Sequence, residues 1–143
     1  MLRDIPPILS PDLLWSLAAM GHGDTVVIAD ANFPAEGLGP RCHRLDGVSA
    51  TDALRAVLKL LPLDTFVEEP AFTMQVVGDP QAVPEIVAEF QQIVNATADA
   101  PAKLGSCERF AFYEAARQAF AVVQTGEFRL YGNIILTKGV IGG

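Results

Sequence analysis

Between a glycine-rich turn and an Asn-Phe-Pro segment lies "TVVIADA" (25 to 31), a nearly continuous run of β-branched and apolar residues. Such residues favour extended backbone. A strand that is apolar at almost every position, rather than at alternate ones, must be covered on both faces. It belongs inside a sheet with helices on each side, which commits the chain to a layered α/β architecture. At 143 residues the chain has the length of one domain, 1–143. A chain of that size can remove about 70% of its unfolded surface from water.

The segments around this strand supply the layers. Ser10 caps, Pro11 opens and Asp12 supports a helix through "DLLWSLAAM", and Gly21 is expected to end it in the left-handed conformation. His22 falls in the connection into the strand. "RCHRL" (41 to 45) reads as a shorter strand, and Ser49 caps a helix through "DALRAVLKLL" that Pro62 stops. "AFTMQVV" (71 to 77) is a strand closed by Gly78-Asp79-Pro80. Pro84 opens a helix through "EIVAEFQQIVNA", and "CERFAFYEAARQA" (107 to 119) carries apolar residues at helical spacing. "FAVVQTG" (120 to 126) and "NIILTKG" (133 to 139) are the last strands. The expected fold is a single α/β/α layered domain on a mixed sheet, with antiparallel pairing near the C-terminal end.

Half the residues are apolar, yet the longest apolar runs fall far short of the roughly 20 residues that span a bilayer. The surplus is assigned to subunit contacts, so a homo-oligomer without membrane attachment is expected. A net charge of −7 repels phosphate backbones and weighs against nucleic acid. The N-terminus has no basic start leading into an apolar stretch, so no secretory leader is read. Cys42 and Cys107 are then two reduced thiols in a cytoplasmic protein.

No glycine-rich phosphate loop, nucleophile elbow or paired-histidine helix is present. Neither His22 nor His43 has a second ligand at metal spacing, so zinc chemistry is unsupported. What remains is a set of polar residues at element ends. His22 and Asp30 flank the buried strand, and a carboxylate where such a strand ends commonly faces a ligand. Arg109 begins a helix, where a cation opposes the dipole. Tyr131-Gly132-Asn133 offers a phenol, close backbone approach and an amide. Together these suit a neutral polyol. Each also has a plainer reading. His22 can be a solvated turn residue and Asp30 a turn cap. Arg109 can pair with Glu108 or Asp12, and Tyr131-Gly132-Asn133 can be a hairpin connection. His43 and both cysteines read as structural, and Phe110, Phe112 and Phe120 as core.

In order along the chain, "LSPDLLWSLAAMGHGDTVVIADANFP", "LPLDTFV", "RFAFYEAARQAFAVVQTGE" and "YGNIILTKGV" resemble the L-fucose mutarotase branch of the ribose-pyranase/fucose-mutarotase family. The likeness runs nearly end to end and is weakest from Gly78 to Leu104. The arginine of "RFAFYE" resembles the fucose branch, whereas the ribose branch typically carries histidine there. The resemblance implies a cofactor-independent enzyme that interconverts the α and β anomers of a monosaccharide, L-fucose being the expected substrate. It implies His22 as proton donor, and Asp30, Arg109, Tyr131, Gly132 and Asn133 as sugar contacts. It also links Asp64 and Tyr113 to activity. It further implies a ring, commonly a decamer, with pockets near subunit contacts. Two other functions stay open at this point: a monosaccharide-binding protein without turnover, and a D-ribose pyranase.

Overall fold

The computed structural model describes all residues, 1–143, and is organised on one six-stranded sheet. Helix α1 (Pro11–Ala19) leads into β1 (Thr25–Ala29), and β2 (Arg41–Leu45) leads into α2 (Ala50–Leu58). Next come β3 (Ala71–Met74), α3 (Glu85–Thr97), β4 (Gly105–Cys107) and α4 (Arg109–Arg117). The chain closes with β5 (Ala121–Thr125) and β6 (Ile134–Thr137). The strand order is β2-β5-β1-β6-β3-β4. β6 runs antiparallel between β1 and β3, while the β1–β5, β2–β5 and β3–β4 pairs are parallel. The mixed sheet with its antiparallel C-terminal strand matches the expectation. No helix is long and apolar enough to cross a membrane.

Alternation along the strands divides the core in two. Val26 and Ile28 of β1, with Val123 and Leu136, face a cluster built with Leu13 and Leu17 of α1, Leu54 and Val57 of α2, and Phe90 and Val94 of α3. Val27 and Ala29, with Val122 and Ile135, face Phe33, Phe112 and Ala116, so α4 and the segment after β1 form the other layer. β1 is buried at four of its five positions, as its composition demands.

The local signals act largely where they stand in the sequence. Ser10 and Ser49 accept hydrogen bonds from the Leu13 and Asp52 N–H groups, both at 3.2 Å, as N-caps of α1 and α2. Four expectations need correction. Phe110 is not in the core but 64% exposed, because the buried stripe of α4 runs through Phe112 and Ala116. Gly21 does not take the left-handed conformation: α1 ends at Met20 in extended backbone, Gly21 N–H donates to Asp24 Oδ2 at 2.8 Å, and Gly23 has φ 87°. The third strand stops at Met74 rather than Val77, because the backbone turns through Val76–Asp79 around Gly78. Cys107 belongs not to a helix but to β4, whose three residues are too few to show a periodicity.

Candidate active site

Candidate residues lie at both ends of β1. Asp30 follows β1 and Asn133 precedes β6, and the antiparallel pairing of these strands sets the two side by side. Asp30 N–H donates to Asn133 Oδ1 at 2.8 Å, and Asn133 Nδ2 donates to Asp30 Oδ2 at 3.2 Å. The reciprocal pair fixes the amide orientation, since a flipped Asn133 would set NH₂ against N–H. Asn32 N–H donates to Asp30 Oδ1 at 3.0 Å, and Gln124 Nε2 donates to the Asp30 carbonyl. Burial pushes the Asp30 pKa up, against the lowering effect of the hydrogen bonds from Asn32, Asn133, Gly132 and Phe33.

The loop into β6 holds the rest of this cluster. Tyr131 adopts left-handed backbone, φ 65°, and its hydroxyl accepts from Val77 N–H at 3.1 Å. Gly132 is required by space, because a Cβ there would come within 3.0 Å of Glu127 Cγ and Ile86 Cδ1. Arg129 anchors the loop by donating to both Glu127 carboxylate oxygens, at 3.0 and 3.1 Å, and to Glu89 at 2.8 Å. Those bonds hold the Glu127 carboxyl below its usual range, against the effect of burial, and push the Arg129 pKa up. Ala31 N–H donates to the Glu127 carbonyl at 2.7 Å, so the same loop also braces the residue after Asp30. Nothing singled out Gln124, Glu127 or Arg129 in the sequence. The available signal was the carboxylate and guanidinium two residues apart in "GEFRLYG", a pattern common on solvated loops.

Arg109 opens α4 without the local carboxylate expected of it. Glu108 instead caps the helix, accepting from the Phe110 and Ala111 N–H groups at 2.9 and 3.2 Å. Asp12 lies in a different cleft, beside Trp15 and Arg41. The Arg109 guanidinium carbon sits 4.6 Å from the Phe110 ring centroid, and Nε is buried with no hydrogen-bond partner. An unsatisfied buried donor costs about 1–3 kcal/mol, which a hydroxyl oxygen would offset. Arg109 lines a cleft of about 380 Å³ with Gln75, Val77, Pro80, Glu108 and Phe110. Tyr113, one turn further along α4, packs on Phe33 and Phe110 with centroids 5.6 and 6.5 Å apart, bridging the Asp30 segment to Arg109.

His22 is not in this cluster. It lies before the start of β1, which spans five residues, or about 17 Å of strand at about 3.3 Å each, between His22 and Asp30. Its partner is Asp64, whose Oδ1 is 3.0 Å from His22 Nε2 and whose N–H donates to the Thr137 carbonyl at 3.0 Å where β6 ends. Burial acts to raise the Asp64 pKa. It is outweighed by the Phe66 N–H, the His22 ring and the Thr65 N–H, which together hold the carboxyl below its usual range. An ionised carboxylate only accepts, so the network assigns the hydrogen to Nε2 and leaves the Nδ1 lone pair free in the neutral ring. The Phe66 ring lies 4.9 Å from the imidazole, and the His22 side chain keeps 43% of its surface exposed. The structure thus brings Asp30, Arg109, Tyr113, Tyr131, Gly132 and Asn133 to one end of the sheet, and His22 and Asp64 to the other.

His43 is a satisfied core residue, with Nε2 2.7 Å from Ser16 Oγ, and burial followed by the Arg41 charge pushes its pKa down. Cys42 and Cys107 are free thiols pushed up by burial. No group of three or more His, Cys, Asp or Glu side chains is arranged to hold a metal ion.

The chain is 49% identical to the human fucose mutarotase over 146 residues, covering 98% of this chain and 94% of that one. It is 45% identical to the L-fucose mutarotase of Histophilus somni over 140 residues, covering 98% and 97%. The crystal structure of the fucose mutarotase from Streptococcus pneumoniae in complex with L-fucose superposes with a TM-score of 0.91 at 40% identity, covering 99% of this chain and 100% of that one. A sequence profile of the RbsD / FucU transport protein family matches residues 3–141. By sequence and by fold, this chain belongs to the RbsD / FucU transport protein family.

Proposed function

We propose that the chain is a cofactor-independent isomerase, a single domain of residues 1–143 that interconverts the α and β anomers of L-fucose. One observation carries the reading. His22 is bonded through Nε2 to a buried carboxylate and keeps Nδ1 without a partner on a side chain that is 43% exposed, in a chain similar to fucose mutarotases over nearly its whole length. In mutarotation the anomeric hydroxyl loses its proton, the ring oxygen gains one and the C1–O5 bond breaks as the C1 carbonyl forms. The aldehyde turns about C1–C2, O5 adds to the other face and the proton transfers reverse. An imidazole, with an ordinary pKa of about 6.5, exchanges protons well near neutral pH, and each positioned transfer contributes roughly 10²–10⁴-fold.

His22 Nδ1 exchanges the proton with the ring or anomeric oxygen, and Asp64 orients the imidazole and stabilises its cation. Asp30 and Asn133 hold sugar hydroxyls, while Tyr131 and Gly132 shape the pocket. Arg109 donates from Nε to a hydroxyl and stabilises developing negative charge on oxygen, with Tyr113 beside it. Because the two clusters lie at opposite ends of β1, a complete site joins His22 of one protomer to the Asp30–Arg109 cluster of its neighbour. Head-to-tail contacts of this kind close into a ring, here a cytoplasmic homo-oligomer such as a decamer.

Nuclear magnetic resonance exchange spectroscopy on L-fucose is the test. Wild-type protein is expected to accelerate anomer exchange, and His22→Ala to lose at least about a hundredfold of that acceleration. Undiminished exchange in His22→Ala would sink the role. Acceleration of D-ribose pyranose–furanose exchange alone would make it a ribose pyranase, and binding without acceleration a carrier.

A further inference from the structure

The turn that presents His22 is held from a distance by one side chain. Lys138, just after β6, donates from Nζ to the Leu17 carbonyl at 2.7 Å and to the Met20 carbonyl at 2.6 Å. These are carbonyls of the last turn of α1 and its C-cap, five and two residues before the imidazole respectively. The Lys138 backbone pairs on the other side of the turn. Gly23 N–H donates to the Lys138 carbonyl at 2.9 Å, and Lys138 N–H donates to the Asp24 carbonyl at 2.9 Å. Residues 21 to 23 are therefore bracketed by four hydrogen bonds to one residue.

Within the turn, Gly21 N–H donates to Asp24 Oδ2 at 2.8 Å and Asp24 N–H donates to the Gly21 carbonyl at 3.2 Å, which close the turn on itself but do not tie it to the rest of the fold. Gly21 and Gly23 flank His22, Gly23 has φ 87°, and a Cβ at Gly23 would touch nothing. Glycines on both sides leave the backbone many accessible states. The Asp64 bond fixes the imidazole only if the backbone delivers the ring to it. The Lys138 ammonium also matches the negative end of the α1 dipole, since α1 has no basic residue in its last turn. Its aliphatic stem lines an apolar cleft with Leu14, Leu17 and Leu61.

We propose that Lys138 is the positioning residue of His22, clamping the end of α1 to β6 so that the imidazole meets Asp64 and offers Nδ1 in one direction. The inference rests on the proton-transfer role proposed for His22. Lys138→Gln removes the ammonium, and Lys138→Met, which keeps the stem, replaces it if the glutamine variant does not fold. Expected is a fall in kcat for L-fucose exchange of about tenfold or more, with KM held within about twofold, because the Asp30–Arg109 cluster is untouched. Lys138→Arg, which can still reach carbonyls with a cation, is expected to recover most of the loss. Long-range ¹H–¹⁵N spectra of the free protein supply a second readout. His22 should show a single Nε2–H tautomer in the wild type and an averaged pair in the neutral variants. An unchanged kcat with unchanged His22 ring signals overturns the proposal, as does a loss shared equally by kcat and KM. Absence of L-fucose exchange in wild-type protein would remove the mutarotase reading. The ring-nitrogen spectra would still decide whether Lys138 sets the histidine.

Discussion

At His22 and Asp64, the useful property is that one imidazole nitrogen is spoken for and the other is not. Asp64→Asn keeps an oxygen for Nε2–H and for the Phe66 N–H but loses the charge that stabilises an imidazolium. Its exchange rate on L-fucose is expected to fall about 10–100-fold with the fold retained, and Asp64→Ala, which also frees the tautomer, further. Saturation kinetics by exchange spectroscopy checks both variants. Glu127 is a structural counterpart. Its pairing with Arg129 lowers its pKa, so the native state binds fewer protons than the unfolded chain. The resulting stability is complete above an ordinary glutamate pKa of about 4.3 and is lost as pH falls through the lower folded value. Glu127→Gln should cost about 1.5–3 kcal/mol at pH 7, and the difference from wild type should shrink as pH falls below the ordinary glutamate range, as read from urea midpoints across pH.

At the scale of elements, α4 joins the two halves of the sugar cluster, and its start is held by Glu108. Glu108→Ala removes the Oε2 that accepts both bonds of that cap. It should cost about 1 kcal/mol in thermal unfolding and weaken L-fucose binding through Arg109, the next residue. Unaltered stability together with an unaltered KM would show that the cap does not set Arg109. β6 works differently. It is the one strand that runs against its neighbours, so its start abuts the end of β1 while its end abuts the beginning of β1. That reversal places Asn133 with Asp30, and Lys138 with the His22 turn.

Across the whole molecule, exposed apolar side chains gather near both candidate clusters. Phe66, Val67, Val140 and Ile141 lie toward the His22 end, and Val77, Phe110, Phe128 and Leu130 toward the other. The two surfaces differ, so the contact proposed between them would be heterologous, the kind that propagates head to tail until a ring closes. Sedimentation should therefore find a closed oligomer with no populated monomer at micromolar concentration. A mixed assembly provides a sharper check of the shared pocket. His22→Ala and Arg109→Ala subunits, each inactive alone, should on co-refolding regain roughly a quarter of wild-type exchange, the share of intact interfaces in a random one-to-one ring. Recovery of no activity would place both residues in the pocket of a single protomer.

Much of this architecture is legible in the order of the residues. The apolar run of β1 demands two covering layers, Ser10 and Ser49 sit where caps are needed, and Pro62 and Gly78 interrupt where the chain turns. These signals are local, carried by neighbouring residues and by the periodicity of the backbone. The short β4 escaped because three residues hold no period, and the left-handed residue after α1 proved to be Gly23 because Asp24 captures the Gly21 N–H. The candidate residues could be named one by one from their types and order. Their grouping could not. Asp30 meets Asn133 across 103 residues, and His22 meets Asp64 across 42, because an antiparallel strand brings distant segments into register. Sequence alone determined the layers and the chemical types. The tertiary structure decided which groups share an end of the sheet, since that depends on strand order and direction rather than on local backbone preference.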